Sequence, residues 1–381
     1  MKKILCFIFS LILVSFLFFN SVSALPNNNS MNFDCTSAIL VEAKSGTVLF
    51  EQNADEELPP ASVTKIMTLL LVMEAIESGQ ISLNDMVSAS ENACSMGGSQ
   101  IYLEVGEQMS VEDLLKSVVI SSANDAAVAL AEYVAGSETV FVDMMNKKAE
   151  ALGMKNTNFE NTNGLDDTVE NHLTSARDIA IMSAELLSHE KIIEYSSIWM
   201  DTIRNGEFGL ANTNRLVRFY KGANGLKTGS TSKAGFCISA SAERNGMTLI
   251  AVVMAAPTRD IRNSIATSLL DYGFANFSFY ESPYEALSPI KVVGGVKNFC
   301  EVKNKGFCTV VDKKSVTSIK SQVEINKDIK APIKIGDKVG EVKYFIGDKI
   351  IGASDIVSAQ NVECISYLHI ILKIISLMSL M

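Results

Sequence analysis

The fold of this chain is decided by the stretch Pro59-Pro60-Ala61-Ser62-Val63-Thr64-Lys65-Ile66-Met67-Thr68-Leu69-Leu70-Leu71-Val72-Met73. From Ile66 to Ile76 the sequence is apolar almost all the way round, which is typical of a helix buried in the centre of a domain. The two prolines stand where a helix can begin but cannot continue from upstream. The stretch therefore predicts a buried helix around which the rest of the domain packs.

A hydroxyl and an amine stand three residues apart at the start of this predicted helix, on Ser62 and Lys65. Residues at i and i+3 lie on one helix face, so the Lys65 amine can reach the Ser62 hydroxyl. Burial disfavours the charged ammonium, which makes a buried lysine a usable base near neutral pH. The helix N-terminus also favours negative charge that develops there. The pair predicts a serine nucleophile that is activated by a lysine.

Two further motifs follow this pair in a definite order. Ser122-Ala123-Asn124 and Lys227-Thr228-Gly229 stand downstream of Ser62, and Lys-Thr-Gly occurs once in the chain. Ser-x-x-Lys also occurs at Ser188 and Ser230, but Ser62 combines a helix start with an apolar helix body and these downstream partners. The ordered triple is the signature of the penicillin-recognising serine enzymes.

Five more motifs surround the triple, namely Gly98-Ser99-Gln100, Ser121–Ala126, Asn163-Gly164-Leu165, Gly225–Gly229 and Leu269–Phe274. With them the chain resembles the serine-type D-alanyl-D-alanine carboxypeptidases, the low-molecular-weight penicillin-binding proteins. The resemblance covers nearly the whole mature chain and is looser beyond residue 283. It implies an α+β fold: a penicillin-binding/β-lactamase-like transpeptidase domain, with helices on both faces of an antiparallel sheet, then a small all-β domain and a C-terminal amphipathic helix.

The resemblance also implies which residues carry out the chemistry. Ser62 would attack the carbonyl between the two terminal D-alanines and become acylated, and Lys65 would take its proton. Ser122 would pass a proton to the leaving amine. The backbone N–H groups of Ser62 and Ser230 would form the oxyanion hole. Many relatives carry histidine at the position of Ser230.

Four residues are implied in substrate binding. Asn124 would hold the substrate amide and Lys65. Lys227 would supply positive charge near the substrate carboxylate, and Thr228 would line the strand edge that the peptide joins. Arg262 matches a family arginine that can hold the terminal carboxylate, and the alternative for it is a surface charge on a helix.

The N-terminus and the net charge indicate an exported acidic protein. Lys2 and Lys3 precede an apolar run from Ile4 to Phe19, and small residues up to Ala24 offer a cleavage site, so residues 1–24 are predicted to be a secretory signal peptide. An uncleaved N-terminal anchor is the alternative. The net charge is −10 over 381 residues, and removal of two lysines with the leader makes the mature chain more acidic still. An acidic exported protein is a poor candidate for binding nucleic acid, so we expect no nucleic acid partner.

Cysteine and histidine usage argues against a metal or other cofactor. No Cys/His spacing suggests zinc, none of the three histidines belongs to an HExxH motif, and His172 is interpreted as structural. Export permits disulfides among the mature cysteines, but the sequence does not select a pairing. Cys300 and Cys308 flank a predicted hairpin turn and could pair, and buried free thiols are the alternative.

The remaining sequence suggests the domain organisation. Residues 25–282 mix helical and strand patterns and are expected to form the catalytic domain, while 283–360 carry short β-like runs that predict a small β-rich domain. Residues 361–381 are expected to form an amphipathic helix. Its polar stripe consists of Glu363, Ser366, His369, Lys373, Ser376 and Ser379.

Such a helix can lie in the membrane interface with its polar stripe toward water. A membrane span is the alternative, but residues 365–381 would reach only about 25 Å as a helix. Lys373 in mid-segment adds a cost of about a few kcal/mol to a span. We expect the in-plane anchor, which would hold the exported protein peripherally on the outer face of the cytoplasmic membrane.

Three classes of function compete at this point. The first is a penicillin-sensitive carboxypeptidase that removes the terminal D-alanine from peptidoglycan pentapeptide stems. The second is a β-lactamase, which needs a deacylating acid near the site, and no Glu-x-x-Leu-Asn is present. The third is a catalytically poor scaffolding module, against which the complete triple argues. We expect the first, with pentapeptide as substrate, β-lactam antibiotics as acylating inhibitors and no cofactor.

Overall fold

The computed structural model describes residues 31–167, 169–282, 284 and 286–378. The predicted signal peptide and residues 379–381 lie outside the described residues. The helices are α1 (Lys65–Glu77), α2 (Glu91–Cys94), α3 (Val111–Ser121), α4 (Asn124–Ala135), α5 (Glu138–Ala151), α6 (Ala176–Ser188), α7 (Glu190–Ser196), α8 (Leu216–Phe219), α9 (Arg259–Asn276) and α10 (Tyr367–Met378).

The strands fall into two larger and three smaller antiparallel sheets. They are β1 (Ser37–Glu42), β2 (Val48–Gln52), β3 (Met86–Ser88), β4 (Gln108–Ser110), β5 (Met200–Ile203), β6 (Phe208–Ala211), β7 (Ala223–Thr231), β8 (Gly235–Arg244), β9 (Met247–Ala256), β10 (Phe277–Ser282), β11 (Ala286–Lys291), β12 (Phe299–Asn304), β13 (Phe307–Asp312), β14 (Ile319–Ile325), β15 (Lys338–Ile346) and β16 (Lys349–Ser358).

The first large sheet has the order β2-β1-β9-β8-β7, so β7 is an edge strand. Side chains alternate between the two faces of a strand, and both faces of this sheet are covered. Ile39 of β1 belongs to the core with Ile179 of α6, whereas the next residue, Leu40, belongs to the core with Leu269 of α9. Helices on both faces of an antiparallel sheet are the predicted α+β architecture, which is confirmed.

The predicted central helix is α1, and it is buried over nearly its whole length. Ile66, Met67, Leu70 and Met73 expose none of their surface because α3, α4, α5 and α6 surround the helix. The structure differs from the prediction at one point. Ser62 lies in a 3-10 turn, Ala61–Thr64, and the α-helix begins only at Lys65.

The second large sheet has the order β11-β12-β16-β15-β14 and encloses its own small core. A separate pair of strands, β10 with β13, links it to α9, since β10 directly follows that helix. The all-β character that was predicted for this part of the chain is confirmed.

Cysteine pairing follows the alternative of free thiols. Cys35, Cys94, Cys237, Cys300, Cys308 and Cys364 are all unpaired. Cys300 is buried against the hydroxyl of Ser358, whereas Cys308 lies on β13 opposite Glu281. These different surroundings keep the two thiols of the predicted hairpin apart.

The C-terminal helix begins later than expected because the chain stays attached to the β sheet beyond residue 360. Val362 and Cys364 form bridges to Ile333 and Gly295, and α10 begins only at Tyr367. Tyr367 is 88% exposed. In the part of the chain that the structure describes, no helix has the length and apolar character needed to cross a membrane.

Candidate active site

The three motifs meet at one end of α1, where β7 runs past the 3-10 turn that carries Ser62. The turn brings Ser62 and Lys65 together, the junction of α3 and α4 supplies Ser122 and Asn124, and β7 supplies Lys227. Hydrogen bonds connect these side chains in two groups, Ser62 and Asn124 with Lys65, and Ser122 with Lys227.

The Lys65 amine has three polar neighbours. Its Nζ lies 2.9 Å from Ser62 Oγ, 2.5 Å from Asn124 Oδ1 and 2.7 Å from the carbonyl oxygen of Asn163. Lys65 is fully buried, and that burial, together with the nearby Lys227 cation, holds the pKa of the amine well below its usual value despite an opposing effect of Asp125. Lys65 therefore has the electrostatic surroundings of a neutral amine.

Ser122 and Lys227 form the second hydrogen-bonded group. Lys227 Nζ donates to Ser122 Oγ at 2.7 Å and to the carbonyl oxygen of Thr228 at 3.0 Å. Burial, reinforced by the Arg262 guanidinium, lowers the pKa of Lys227 to about 7. Ser122 has a φ of 63°, a left-handed conformation that side chains other than glycine rarely adopt and that is concentrated at functional sites.

Asn124 holds Lys65 but differs from the expectation in its second contact. Its Oδ1 accepts from Lys65, while its Nδ2 donates to the carbonyl oxygen of Gly97 at 2.7 Å. To contact a substrate amide as the resemblance implies, Asn124 Nδ2 would therefore have to share its hydrogen bond to Gly97 or exchange it for one to the substrate.

A cleft of about 180 Å³ opens over Ser62. Two arginines, Arg259 and Arg262, are among its lining residues. Arg262 is only 3% exposed, so it is not the surface charge that was the alternative. The cleft is lined by Ser62, Ser99, Ser122, Thr213, Thr228, Gly229, Ser230, Arg259 and Arg262.

Arg262 is a buried cation whose hydrogen-bond partners in the described chain include no carboxylate. It donates to Asn263 Oδ1 and to the carbonyl oxygen of Cys237. Burial, with a contribution from Arg259, lowers the pKa of its guanidinium to about 10. A buried charge without a counterion is costly, so the cleft favours an anion bound next to Arg262.

The backbone of β7 passes close to the nucleophile. A Cβ atom on Gly229 would lie 2.8 Å from Ser62 N and 2.8 Å from the carbonyl oxygen of Pro60, which is tighter than real Cβ contacts. Only glycine allows this approach, which brings β7 next to the backbone of Ser62. Ser62 and Ser230 both line the cleft. Thr228 is held beside it by a 2.8 Å hydrogen bond to Thr213.

Two supporting groups fix the loops around the cleft. The buried Asp125 carboxylate accepts from the N–H groups of Ile101 and Leu103, which anchors the loop that carries Ser99. His172 accepts from Glu160 N and contacts Thr64 Oγ1 at 2.7 Å, and burial lowers the pKa of its imidazole to about 4. His172 thus supports the turn beneath Ser62 as a neutral ring.

Three contributors were not assigned a role from the sequence. The Asn163 carbonyl oxygen binds Lys65, and no sequence signal marks a backbone group. Thr213 belongs to no motif. Arg259 had a usable signal, because it stands three residues before Arg262 and so shares its helix face.

Comparison with known proteins agrees with this geometry. A family model for D-alanyl-D-alanine carboxypeptidase matches residues 23–258, and one for the penicillin-binding protein 5 C-terminal domain matches residues 280–364. The D-alanyl-D-alanine carboxypeptidase DacF of Bacillus subtilis is 41% identical over 337 residues, covering 87% of this chain and 86% of the relative. DacC of Escherichia coli is 35% identical, covering 87% of this chain and 84% of its own length.

Solved structures give the same result. Penicillin-binding protein 5 from Haemophilus influenzae superposes with a TM-score of 0.79 at 33% identity, covering 87% of this chain and 98% of that one. Penicillin-binding protein D2 from Listeria monocytogenes in its ampicillin-bound form has a TM-score of 0.59 at 32% identity, covering 64% of this chain and 99% of that one. The class is that of low-molecular-weight penicillin-binding proteins. The chain belongs to the D-alanyl-D-alanine carboxypeptidase family, which confirms the prediction from the motifs.

The close approach at Gly229 makes a testable prediction. Gly229→Ala should push β7 away from Ser62 N and slow acylation by a labelled penicillin by at least about tenfold, since a misplaced oxyanion donor costs roughly 1.4 kcal/mol or more. Gly209→Ala is the matched control, because no atom lies within 4 Å of its added Cβ. Equal acylation rates for the two variants would contradict the tight approach.

Proposed function

We propose that the chain removes the terminal D-alanine from peptidoglycan pentapeptide stems through an acyl intermediate on Ser62. The observation that carries this proposal is the contact of 2.9 Å between Ser62 Oγ and the buried Lys65 amine. β-Lactam antibiotics would acylate the same hydroxyl, since the lactam amide takes the place of the bond between the two D-alanines.

The hydrogen-bond inventory of Lys65 supports its role as the base. A neutral amine has two N–H donors and one lone pair. Asn124 Oδ1 and the Asn163 carbonyl oxygen can only accept, so they take the two N–H groups and leave the lone pair facing Ser62 Oγ. The Ser62 hydroxyl then donates to Lys65. In this form its oxygen can attack the carbonyl while its proton passes to the amine.

Ser122 and Lys227 are suited to the other proton transfer. When the C–N bond of the tetrahedral intermediate breaks, the departing nitrogen needs a proton. Ser122 Oγ can give its own proton and recover one from Lys227, because it accepts from Lys227 at 2.7 Å and lines the same cleft as Ser62. Water then hydrolyses the ester and releases the shortened stem.

The cations recognise the terminal carboxylate of the stem. Arg259, Arg262 and Thr228 line the same cleft. Lys227, which donates to the Thr228 carbonyl oxygen, adds positive charge next to it. We assign Lys227, Asn124, Thr228 and Arg262 to substrate binding.

The peptide chain itself would pair with the exposed edge of β7, as peptides do when they extend a sheet. Its scissile carbonyl oxygen would then point at the N–H groups of Ser62 and Ser230, the proposed oxyanion hole. Ser230 is exposed and offers this backbone group, not its hydroxyl, to the reaction.

The lining of the cleft favours a carboxypeptidase over a β-lactamase. Among the described residues that line it, none carries a carboxylate. A β-lactamase needs an acid or base there to clear the penicilloyl ester rapidly, and without one the acyl-enzyme persists. We therefore expect penicillin to act as an inhibitor of this protein.

The domain organisation and location complete the proposal. Residues 1–24 direct export, 25–282 form the catalytic domain, 283–360 form the small β-rich domain and 361–381 contain the anchor. The enzyme would stand on the outer face of the cytoplasmic membrane, held peripherally through α10. Support for the anchor comes from the exposure of its apolar residues, with Leu368 at 65% and Ile371 at 53%.

The nucleophile is tested by Ser62→Ala. We expect the variant to lose covalent labelling by penicillin and to release D-alanine from a pentapeptide at least about 1,000-fold more slowly. Ser230→Ala is the control, because it preserves the backbone N–H and should keep labelling. Mass spectrometry of the labelled protein locates the adduct, and an adduct that survived in Ser62→Ala would remove Ser62 from the mechanism.

The carboxylate role is tested by comparing a free-acid peptide with its C-terminal amide. Loss of a charge-assisted contact costs roughly 1.5–3 kcal/mol, so Arg262→Gln should lower kcat/KM for the free acid by about 10- to 150-fold and leave the amide nearly unchanged. The amide serves as an internal control for folding. If both peptides suffered equally, Arg262 would not bind the carboxylate.

A further inference from the structure

Three chain segments converge at the end of the β sheet from which α10 leaves. Residues 293–296 bond to 329–331 on one side and to 363–365 on the other, through Val293 N to the Ile329 carbonyl and Ile365 N to the Gly294 carbonyl. Ile333 and Val362 also exchange backbone hydrogen bonds. We call this end of the domain, residues 293–297 and 329–335, the distal rim. The anchor helix starts at Tyr367, two residues beyond Ile365.

The distal rim exposes apolar side chains that the fold does not bury. Val293 is 52% exposed, Val296 39% and Ile335 61%. Single exposed apolar residues need no explanation, but these three lie on adjoining backbone segments next to the apolar helix. Ile335 is tied to the start of the tail directly, because its N–H donates to Asn361 Oδ1 at 2.7 Å.

The distal rim is also basic, although the chain as a whole is acidic. Lys297, Lys330 and Lys334 are all exposed. Within the described chain, none of these three lysines forms an ion pair with a carboxylate. Lys297 Nζ donates a hydrogen bond to the side-chain oxygen of Gln360. Exposed apolar groups beside unpaired lysines suit the surface of an anionic bilayer, where apolar side chains enter the headgroup region and lysines meet the lipid charge.

We propose that the distal rim is a second membrane-contact surface, which rests on anionic lipid headgroups beside α10. This inference depends on the proposed membrane location. If α10 alone bound the membrane, it would only tether the β domain through a short segment. If the distal rim also touched the bilayer, the two contacts would fix the orientation of the β domain on it. The bilayer is preferred to a protein partner because the rim is continuous with the apolar helix.

Charge reversal tests the electrostatic part with the full mature chain. Each lysine near an anionic surface contributes about fivefold in affinity, so Lys330→Glu with Lys334→Glu should weaken binding to phosphatidylglycerol-containing vesicles by at least about 25-fold. The control variant carries Lys314→Glu and Lys320→Glu, two exposed lysines outside the rim with the same change in charge. The control variant should lose less than about threefold in affinity for the vesicles, since salt screens charges that are distant from the membrane surface.

Depth measurement tests the apolar part. Ile335→Trp should be quenched by brominated lipids, because the ring would enter the headgroup region. Val323→Trp is the matched control, since Val323 is 50% exposed on β14 outside the rim. The signal of the native Trp199 is subtracted with the unsubstituted chain.

The outcomes separate the rim from the other proposals. If the rim and control variants bound vesicles equally, or if Ile335→Trp were quenched no more than Val323→Trp, the rim would not touch the bilayer. If the unsubstituted chain bound no vesicles, the rim surface and the membrane location would both fail. Release of D-alanine from pentapeptide in the same preparations would still report the catalytic proposal independently.

Discussion

The structure of the site depends on one interaction, the buried amine of Lys65 held between Ser62, Asn124 and the backbone of Asn163. A charged ammonium in a fully buried position is costly, and a second lysine close by adds repulsion. Burial and repulsion both favour the neutral amine of Lys65 beside the Lys227 cation, whose own pKa is lowered to about 7. In the proposed mechanism, this division of charge would give each lysine a different task, Lys65 as the base and Lys227 as the cation near the substrate carboxylate.

The fold supplies the burial that this arrangement needs. Helix α1 is enclosed by other helices, and Lys65 stands at its first residue, where the core meets the cleft. Gly229 lets β7 approach the backbone of Ser62, and Gly164 packs even more closely against Ala61, whose carbonyl oxygen would lie 1.9 Å from an added Cβ. The burial that the core provides therefore lowers the pKa of Lys65, as its proposed role as base requires.

Much of this could be predicted from the sequence because the information was local. The apolar run after Lys65 specified a buried helix, the spacing of Ser62 and Lys65 placed two side chains within contact, and the ordered motifs identified the family. The missed features depend on tertiary contacts. The Asn163 carbonyl has no side-chain signature, and the late start of α10 follows from bridges between residues distant in sequence. Arg262 was assigned to carboxylate binding with a surface charge as the alternative, and only the fold shows that it is buried.

The protonation state of Lys65 is the central claim, and nitrogen NMR of the lysine side chains measures it most directly. In protein labelled with ¹⁵N at lysine Nζ, with the Lys65 resonance identified by its loss in Lys65→Met, the account predicts a neutral amine at pH 7. Lys227→Met should raise the pKa of Lys65, because a neighbouring positive charge is removed. A Lys65 resonance that remained that of an ammonium ion up to about pH 10, the ordinary lysine range, would contradict the account.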